Sequence, residues 1–278
     1  MSKLEDQARS ILKRLSNLAL KLNVSFLNIS TEFLLERLVV RLLQNDELSN
    51  QLVFKGGYVA LRVYNSPRFT VDLDALLKRG NMEAMIKRAI TSIEADLNDA
   101  AWFRFEKVID LKTQGEYGGK RLVFRSGIGP VLKDIRRAQL IQLDIGIGDP
   151  ITPGPVKNEL TELLGEGKLS WQVYPIETSA AEKCHALITR GSENSRAKDV
   201  FDLSLFLDKV DPALFKKALE KTFEYRGDTL PSHIPGLLRK IDVGLLKRGW
   251  KSAVGEIESA KTFEATFEVV IEQLTKLL

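Results

Sequence analysis

The chain has 278 residues, of which 44% are hydrophobic and 28% are charged, and these values are ordinary for a globular protein with a sizeable core. Its 41 lysines and arginines exceed its 37 aspartates and glutamates by only four, so the charge balance permits contact with nucleic acid without requiring it. The single cysteine excludes an internal disulfide, and with only two histidines beside it a zinc cluster is implausible.

Two helices are predicted before residue 45. Apolar residues recur at helical intervals through residues 3–22, which indicates an amphipathic packing helix. A second helix is predicted to start at Ser30, whose side chain suits the N-cap, with Glu32 near the positive end of the helix. Its expected core residues are Leu34, Leu35, Leu38, Val39, Leu42 and Leu43.

A glycine pair follows the next predicted strand. Residues 52–54 are typical of the end of a short strand, and Gly56 and Gly57 lead from it into another predicted helix. Glycine allows the backbone to approach a ligand closely, and the exposed N–H groups at the start of a helix favour phosphate. This turn is therefore a candidate phosphate-binding element.

Two aspartates share one face of the strand that is predicted over residues 69–77. Alternation places Asp72 and Asp74 on that face, with Val71 and Leu73 on the other. Neighbouring carboxylates on an exposed face repel each other unless a cation lies between them. Oxygen-only ligands of this kind suit Mg²⁺ that is carried in with the phosphates of a nucleotide.

A helix is predicted over residues 82–98, followed by strands at residues 102–111, 121–125 and 139–147. Gly115, Gly118 and Gly119 indicate a hairpin between the first two of these strands. Asp144 projects from the polar side of the third strand. It is a candidate third carboxylate, and the alternative is an edge-strand aspartate that only contacts water.

A run of basic residues lies in the same region: Lys120, Arg121, Arg125, Lys133, Arg136 and Arg137. Such a run can follow a phosphate backbone, which makes it a candidate RNA-contact surface. The alternative is an ordinary solvated face.

The pattern becomes helical after residue 177, with helices predicted at residues 178–190, 196–209, 212–225, 237–246 and 263–278. We therefore expect an α+β domain over residues 1–177 and a helical domain over residues 178–278. No stretch approaches the length of a membrane span, and the N-terminus has no signal-peptide pattern. We expect a cytoplasmic protein without membrane contact.

Charged residues on the first two of these later helices suit a phosphate site. Lys183 can act as a compact point charge for a triphosphate, and a surface lysine is the alternative. Asp199 and Asp202 lie three residues apart on one helix face, and Asp202 is expected to pair with Arg196 or Lys198.

The neighbouring Cys184 and His185 are not expected to act as a nucleophile and its base. Adjacent residues of a helix point about 100° apart, so their side chains cannot form the hydrogen-bonded pair that such catalysis needs. Cys184 is expected in the core.

Four segments, in this order, resemble the AbiEii/AbiGii nucleotidyltransferase toxin family, which includes the mycobacterial MenT toxins. They are FKGGYVALRVY with RFTVDLDALL, LIQLDIGIGD, YPIETSAAEKCHAL and SRAKDVFDL, within residues 54–203. The Gly-Gly turn followed by Asp-x-Asp also resembles the wider DNA polymerase beta-type nucleotidyltransferase superfamily. The resemblance implies an α+β fold, in which a mixed sheet flanked by helices precedes a helical C-terminal half that completes the nucleotide site.

The resemblance also implies roles for the residues above. Asp72, Asp74 and Asp144 would hold Mg²⁺, or Mn²⁺ in its place, and Asp144 is assigned either to the metal or to activation of the attacking group. Gly56 and Gly57 would approach the triphosphate.

The resemblance implies roles for three more residues, Lys183, Asp199 and Arg68. Lys183 would bind phosphate, and Asp199 would either serve as a base or hold Lys183 in place. Arg68 matches the arginine of the family pattern Arg-x-Thr-x-Asp, and it would contact phosphate or pair with Asp72 or Asp74.

The activity that the resemblance implies is transfer of a nucleoside monophosphate from a nucleoside triphosphate to an acceptor, with release of pyrophosphate. The chain would be the toxin of a toxin–antitoxin or phage-defence pair, with a separately encoded antitoxin. The expected acceptor is the 3′ end of a tRNA, and a protein hydroxyl or a small molecule is the alternative. A non-catalytic nucleotide- or RNA-binding module and a housekeeping tRNA-maturation or antibiotic-modifying enzyme remain open.

Overall fold

The computed structural model describes residues 2–111, 118–165, 167–255 and 257–278. Residue contacts divide the chain into two compact units. Unit 1 comprises Met1–Val59, Phe69–Gly148 and Lys157–Val173, and unit 2 comprises Ala60–Arg68, Asp149–Val156 and Tyr174–Leu278. The predicted domain boundary at residue 177 stays a prediction.

Within the described residues, seven strands form one mixed sheet in the order β3-β4-β5-β2-β1-β7-β6. Their bounds are β1 (Leu52–Lys55), β2 (Asp72–Leu77), β3 (Ala101–Leu111), β4 (Gly119–Ile128), β5 (Gln139–Ile147), β6 (Val156–Thr161) and β7 (Lys168–Val173). Strand β2 runs parallel to β5 and antiparallel to β1, and β4 runs antiparallel to both β3 and β5. The sheet therefore brings β2 and β5, which are far apart in sequence, side by side.

Helices precede, interrupt and follow the sheet. Their bounds are α1 (Lys3–Leu22), α2 (Phe26–Leu43), α3 (Asp46–Gln51), α4 (Gly56–Arg62), α5 (Met82–Glu94), α6 (Ile176–Arg190), α7 (Ala197–Phe206), α8 (Pro212–Tyr225), α9 (Ile234–Leu238), α10 (Gly244–Val254) and α11 (Phe263–Leu277). In unit 1, α2 packs against α1 and α5. In unit 2, α6 packs against α7 and α8, and α7 also contacts α10 and α11. None of the helices in the described ranges is long and apolar enough to cross a membrane.

Each unit has its own apolar core. In unit 1 the rings of Phe54 and Tyr58 pack against Trp171, at centroid distances of 5.2 and 5.9 Å. All three side chains are buried, so the strand that leads into the glycine pair is anchored on β7. In unit 2, side chains of α6, α7, α8, α10 and α11 form one buried cluster that includes Cys184, as predicted.

The predicted α+β class is confirmed, but several element limits are wrong. Helix α2 starts at Phe26 because the hydroxyl of Ser25, not that of Ser30, accepts the amide hydrogen bond of the first turn. Ser30 lies inside the helix, where its hydroxyl donates to the carbonyl of Leu27. Glu32 is likewise in the helix interior and buried.

Three strands also differ from the prediction. Strand β2 starts at Asp72, where pairing with β5 begins, so the exposed Val71 lies outside it. The sequence pattern did not predict β6 and β7, which are six residues long each. The hairpin between β3 and β4 is confirmed by their antiparallel pairing, although Gly115 lies outside the described residues.

The helix predicted over residues 237–246 is wrong. The structure has α9 ending at Leu238 and α10 starting at Gly244. The side chain of Asp242 accepts a hydrogen bond from the amide of Gly244, so the intervening backbone turns instead of continuing the helix.

Candidate active site

The three predicted carboxylates lie on one face of the sheet in unit 1. Strand β2 pairs in parallel register with β5, which sets Asp74 opposite Asp144 and Asp72 opposite Gln142. Residues between them, such as Leu73 and Leu143, are fully buried on the other face. Two aspartates on adjacent strands therefore lie side by side, and a third lies two residues along the same strand face.

The glycine turn reaches the same acidic face. Lys55, the last residue of β1, pairs with Asp74, and Gly56 follows it with φ at +73°. A methyl group placed on Gly56 would lie 1.9 Å from Oδ2 of Asp74. Only glycine therefore fits at this position, both for its backbone conformation and for the close approach of the carboxylate.

An arginine from β4 binds the third carboxylate. Arg121 pairs with Asp144 across the sheet, and its Nε and Nη2 donate to the two carboxylate oxygens, each at 2.7 Å. The hydrogen bond to Asp144 and the charges of Asp144, Asp72 and Asp74 raise the pKa of Arg121, against the opposing effect of burial. The guanidinium therefore stays charged among the three acids.

The donor set fits Mg²⁺ in its chemistry, because its members are carboxylates in register on one polar face. The side chains are already engaged, however. Thr70 donates its hydroxyl hydrogen bond to Oδ1 of Asp72, and Arg121 occupies both oxygens of Asp144. Across the residues that the structure describes, no three His, Cys, Asp or Glu side chains are grouped as a metal ion would require.

A second charged cluster surrounds Lys183 in unit 2. Its Nζ lies 2.9 Å from Oδ1 of Asp199 and 2.8 Å from Oδ2 of Asp202. Both aspartates are fully buried, and the lysine side chain is 13% exposed. Asp199 thus forms an ion pair with Lys183, and Arg196 lies 2.8 Å from its other oxygen. The two roles predicted for Asp199 stay predictions.

The expected partner of Asp202 is wrong. Its carboxylate binds Lys183 and also accepts hydrogen bonds from Nε and Nη2 of Arg68, at 3.2 and 3.0 Å. Asp202 lies on the buried face of α7, whereas Lys198 is partly exposed and Arg196 pairs with Asp199. Arg68 is an ion-pair partner of Asp202, and its predicted contact with phosphate or with an aspartate of β2 stays a prediction.

Burial and charge compete in this cluster. Burial by itself would lower the pKa of Lys183, but the charges of Asp199 and Asp202 raise it above its ordinary value. For Asp202, burial favours the neutral acid, yet Lys183 and Arg68 together lower its pKa to about 2. Lys183 and Asp202 are therefore both ionised near neutral pH.

Most of the basic run between residues 120 and 137 is paired. Lys120 binds Asp110, Arg121 binds Asp144, Arg125 lies 2.7 Å from Glu106, and Arg136 lies 2.9 Å from Asp134. Lys133 and Arg137 are exposed. Since Lys120 and Arg121 are consecutive on β4 and point to opposite faces, the six residues do not present one surface. Their contact with RNA stays a prediction.

His185, next to the buried Cys184, belongs to a separate polar group. Its Nε2 lies 2.7 Å from Oδ2 of Asp228, and its Nδ1 lies 3.0 Å from Nη1 of Arg226. Burial lowers the pKa of His185, and burial raises that of the Cys184 thiol to about 12. Neither group has the form of an activated nucleophile, in agreement with the prediction.

The family is decided by comparison of the whole chain with protein-family models. The model described as the nucleotidyl transferase AbiEii toxin of type IV toxin–antitoxin systems matches residues 37–269, which is well over half of the chain. The chain belongs to the AbiEii family. This confirms the resemblance read from the four segments, and a family of toxin–antitoxin systems implies an antitoxin as partner.

Solved structures support the same fold. JHP933 from Helicobacter pylori is 16% identical, with a TM-score of 0.52 over 91% of this chain and 92% of that one. MenT4, a nucleotidyltransferase toxin from Mycobacterium tuberculosis, is 17% identical, with a TM-score of 0.50 over 91% of this chain and 94% of that one. A comparison with curated proteins gave no significant match. At these identities the structural likeness shows that the AbiEii chain shares their fold.

Three residues of the site make contacts that were not predicted from the sequence. Thr70, Arg121 and Asp202 contact Asp72, Asp144 and Lys183, respectively. Thr70 and Asp202 lie within the segments that carry the family resemblance, so their positions alone could have marked them as candidate site residues. Arg121 lies outside those segments, and only the pairing of β4 with β5 reveals its partner.

Replacement of Gly56 by alanine tests the close approach to Asp74. Gly80 is a matched control, because it also has a positive φ, at +112°, but has open space where a methyl group would lie. We expect Gly80→Ala to lower the free energy of unfolding by about 1–2 kcal/mol through backbone strain alone. Gly56→Ala should lower it by at least about 1 kcal/mol more, measured by urea unfolding. Equal losses of unfolding free energy in the two variants would show that a methyl group at position 56 does not crowd Asp74.

The ionisation of Asp202 predicts an acid-dependent loss of stability. Its pKa is about 2 in the folded protein and 3.8 ordinarily, so the unfolded chain takes up the proton first as the pH falls. The stabilisation is complete above about pH 4 and is lost between about pH 4 and pH 2, to the extent of about 2 kcal/mol.

Asp202→Asn, compared with the exposed Asp208→Asn, isolates this effect. Urea midpoints at pH 2–5 should fall less steeply for Asp202→Asn than for the wild type or Asp208→Asn. Near pH 7, Asp202→Asn should be the least stable, by about 3–5 kcal/mol, because it removes a buried carboxylate that pairs with both Lys183 and Arg68. Parallel pH profiles for all three proteins would show that folding does not lower the pKa of Asp202.

Proposed function

We propose that this AbiEii protein is a magnesium-dependent nucleotidyltransferase toxin that transfers a nucleoside monophosphate from a nucleoside triphosphate to the 3′ end of a tRNA. The single observation that carries the proposal is the register of β2 with β5. It sets Asp74 beside Asp144, with Asp72 on the same face and the Gly56 turn against Asp74. Structural packing alone gives no reason to gather three acids on one face, since like charges repel.

Mg²⁺, or Mn²⁺ in its place, would be held by Asp72 and Asp74, joined by Asp144. When bound, the metal neutralises charge on the phosphates and on the entering and leaving oxygens. The protein supplies the carboxylate ligands, and Thr70 keeps Asp72 oriented through its hydroxyl.

The reaction is an in-line displacement at the α-phosphorus. A bond forms between the acceptor hydroxyl oxygen and the α-phosphorus, and the bond from that phosphorus to the bridging oxygen of the β-phosphate breaks. Pyrophosphate leaves, and the hydroxyl proton passes to a carboxylate oxygen of Asp144 or through water to solvent. The backbone at Gly56 and Gly57 leaves room for the triphosphate because neither residue has a side chain.

Lys183 would bind the phosphates as a positive point charge. The two buried aspartates that contact its Nζ keep it protonated and fixed in position. A preorganised cation stabilises developing negative charge without the cost of reorienting at the moment of reaction. Asp199 and Asp202 thus act through Lys183, and Arg68 acts by holding Asp202.

We propose that the protein has two macromolecular partners, an RNA and an antitoxin. The exposed Lys133, Arg136 and Arg137 are the members of the basic run that we propose for contact with RNA. A separately encoded antitoxin would counteract the toxin in the cytoplasm, where its substrates are found.

A transfer assay tests the reaction and names the substrate. The wild-type protein is incubated with Mg²⁺, total tRNA and each α-labelled ribonucleoside triphosphate in turn. We expect label at the 3′ end of RNA, with a rate at least about 100-fold lower for Asp72→Asn, because a lost metal ligand removes several kcal/mol of transition-state stabilisation. Asp110→Asn is the matched control, an exposed carboxylate of the same sheet that pairs with Lys120.

The other outcomes assign other functions. Label on a protein would make a protein hydroxyl the acceptor, and nucleotide binding without transfer to any acceptor would favour a non-catalytic binding module. Expression of the wild type should also arrest growth, and Asp72→Asn should relieve the arrest. Harmless expression of an active enzyme would argue for a housekeeping or small-molecule-modifying role.

A further inference from the structure

The ion pair between Arg121 and Asp144 occupies the position where the proposed metal site needs a free carboxylate. Both oxygens of Asp144 accept hydrogen bonds from the guanidinium, in the two-point geometry that is the strongest for an arginine and a carboxylate. The side chains are 31% and 15% exposed, so water screens the pair only in part.

The sheet register explains why an arginine is needed here. Reading across the strands on the acidic face, Lys55, Asp74, Asp144 and Arg121 are consecutive cross-strand neighbours. Two adjacent negative charges are thus flanked by two positive ones. Arg121 supplies one compensating charge that a divalent cation would otherwise supply.

We infer that Arg121 is an internal counter-ion that binds Asp144 in the metal-free protein and must release it before Asp144 can join the metal site. The inference rests on the proposed function, because it assumes that a divalent cation binds the acidic face. Arg121 is then a positioning residue that competes with the metal, and it lowers the affinity of the empty protein for free cation.

A second arginine of β4, Arg125, does not contact the three aspartates. Arg125 points to the same side of the strand four residues later, but it pairs with Glu106 and donates to the backbone carbonyls of Arg136 and Ala138. Its contacts join β3 to the segment before β5 and involve none of the three aspartates. Arg125 therefore offers the same change of charge without the same role.

The test measures Mn²⁺ binding to the metal-free protein by electron paramagnetic resonance, without nucleotide or acceptor. Removal of one positive charge a few ångströms from the bound cation should tighten binding by roughly 5- to 50-fold in Arg121→Gln. Arg121→Lys, which keeps the charge, should stay within about threefold of the wild type, and Arg125→Gln should match the wild type.

A double-mutant cycle shows whether Arg121 acts through Asp144. In an Asp144→Asn background, the gain from Arg121→Gln should become several-fold smaller, because the carboxylate that it releases is absent. A purely structural role for Arg121 would give the opposite sign, since a loosened sheet would bind the cation more weakly.

The outcomes separate this inference from the proposed function. Equal or weaker Mn²⁺ binding in Arg121→Gln overturns the inference and leaves the transferase proposal intact. If Arg121→Gln tightens Mn²⁺ binding as much in the Asp144→Asn background as in the wild type, Arg121 does not act by releasing Asp144. Absence of Mn²⁺ binding in every variant overturns the inference together with the metal requirement of the proposed function.

Discussion

The repulsion between Asp74 and Asp144 is the constraint on which the acidic face depends. Parallel pairing of β2 with β5 makes them neighbours, and burial of the alternate residues fixes that register, since a shift by one residue would turn the apolar side chains to solvent. The fold cannot relieve the repulsion by moving the strands. It does so by pairing β4 and β1 on either side, which brings Arg121 and Lys55 into the same cross-strand row.

The cluster around Lys183 balances its buried charges by ion pairing. An isolated buried lysine or aspartate would lose its charge, but Asp199, Asp202 and Arg68 leave each ion of the group with an opposite partner. Such a cluster adds little to stability compared with apolar packing of the same volume. Its effect is to keep a lysine charged and fixed, which suits the binding of a phosphate.

The sequence predicted the elements that carry local periodicity, such as α1, β5 and α8, nearly to the residue. It also predicted the candidate acids, because alternation and spacing determine which side of a strand or helix they occupy. It did not predict β6 and β7, which are short and partly exposed. Nor did it predict the partners of Arg121 and Asp202, because pairing between strands, and contacts between residues 134 positions apart, leave no local pattern.

The most direct test of this account is a crystal structure with Mn²⁺ and a non-hydrolysable nucleoside triphosphate, using anomalous scattering to locate the metal. The account predicts an anomalous peak in coordination contact with Asp72, Asp74 and Asp144, with the guanidinium of Arg121 detached from Asp144. A metal bound away from these carboxylates would contradict the proposed site. A metal bound to them while Arg121 still holds both oxygens of Asp144 would contradict the competition between the arginine and the cation.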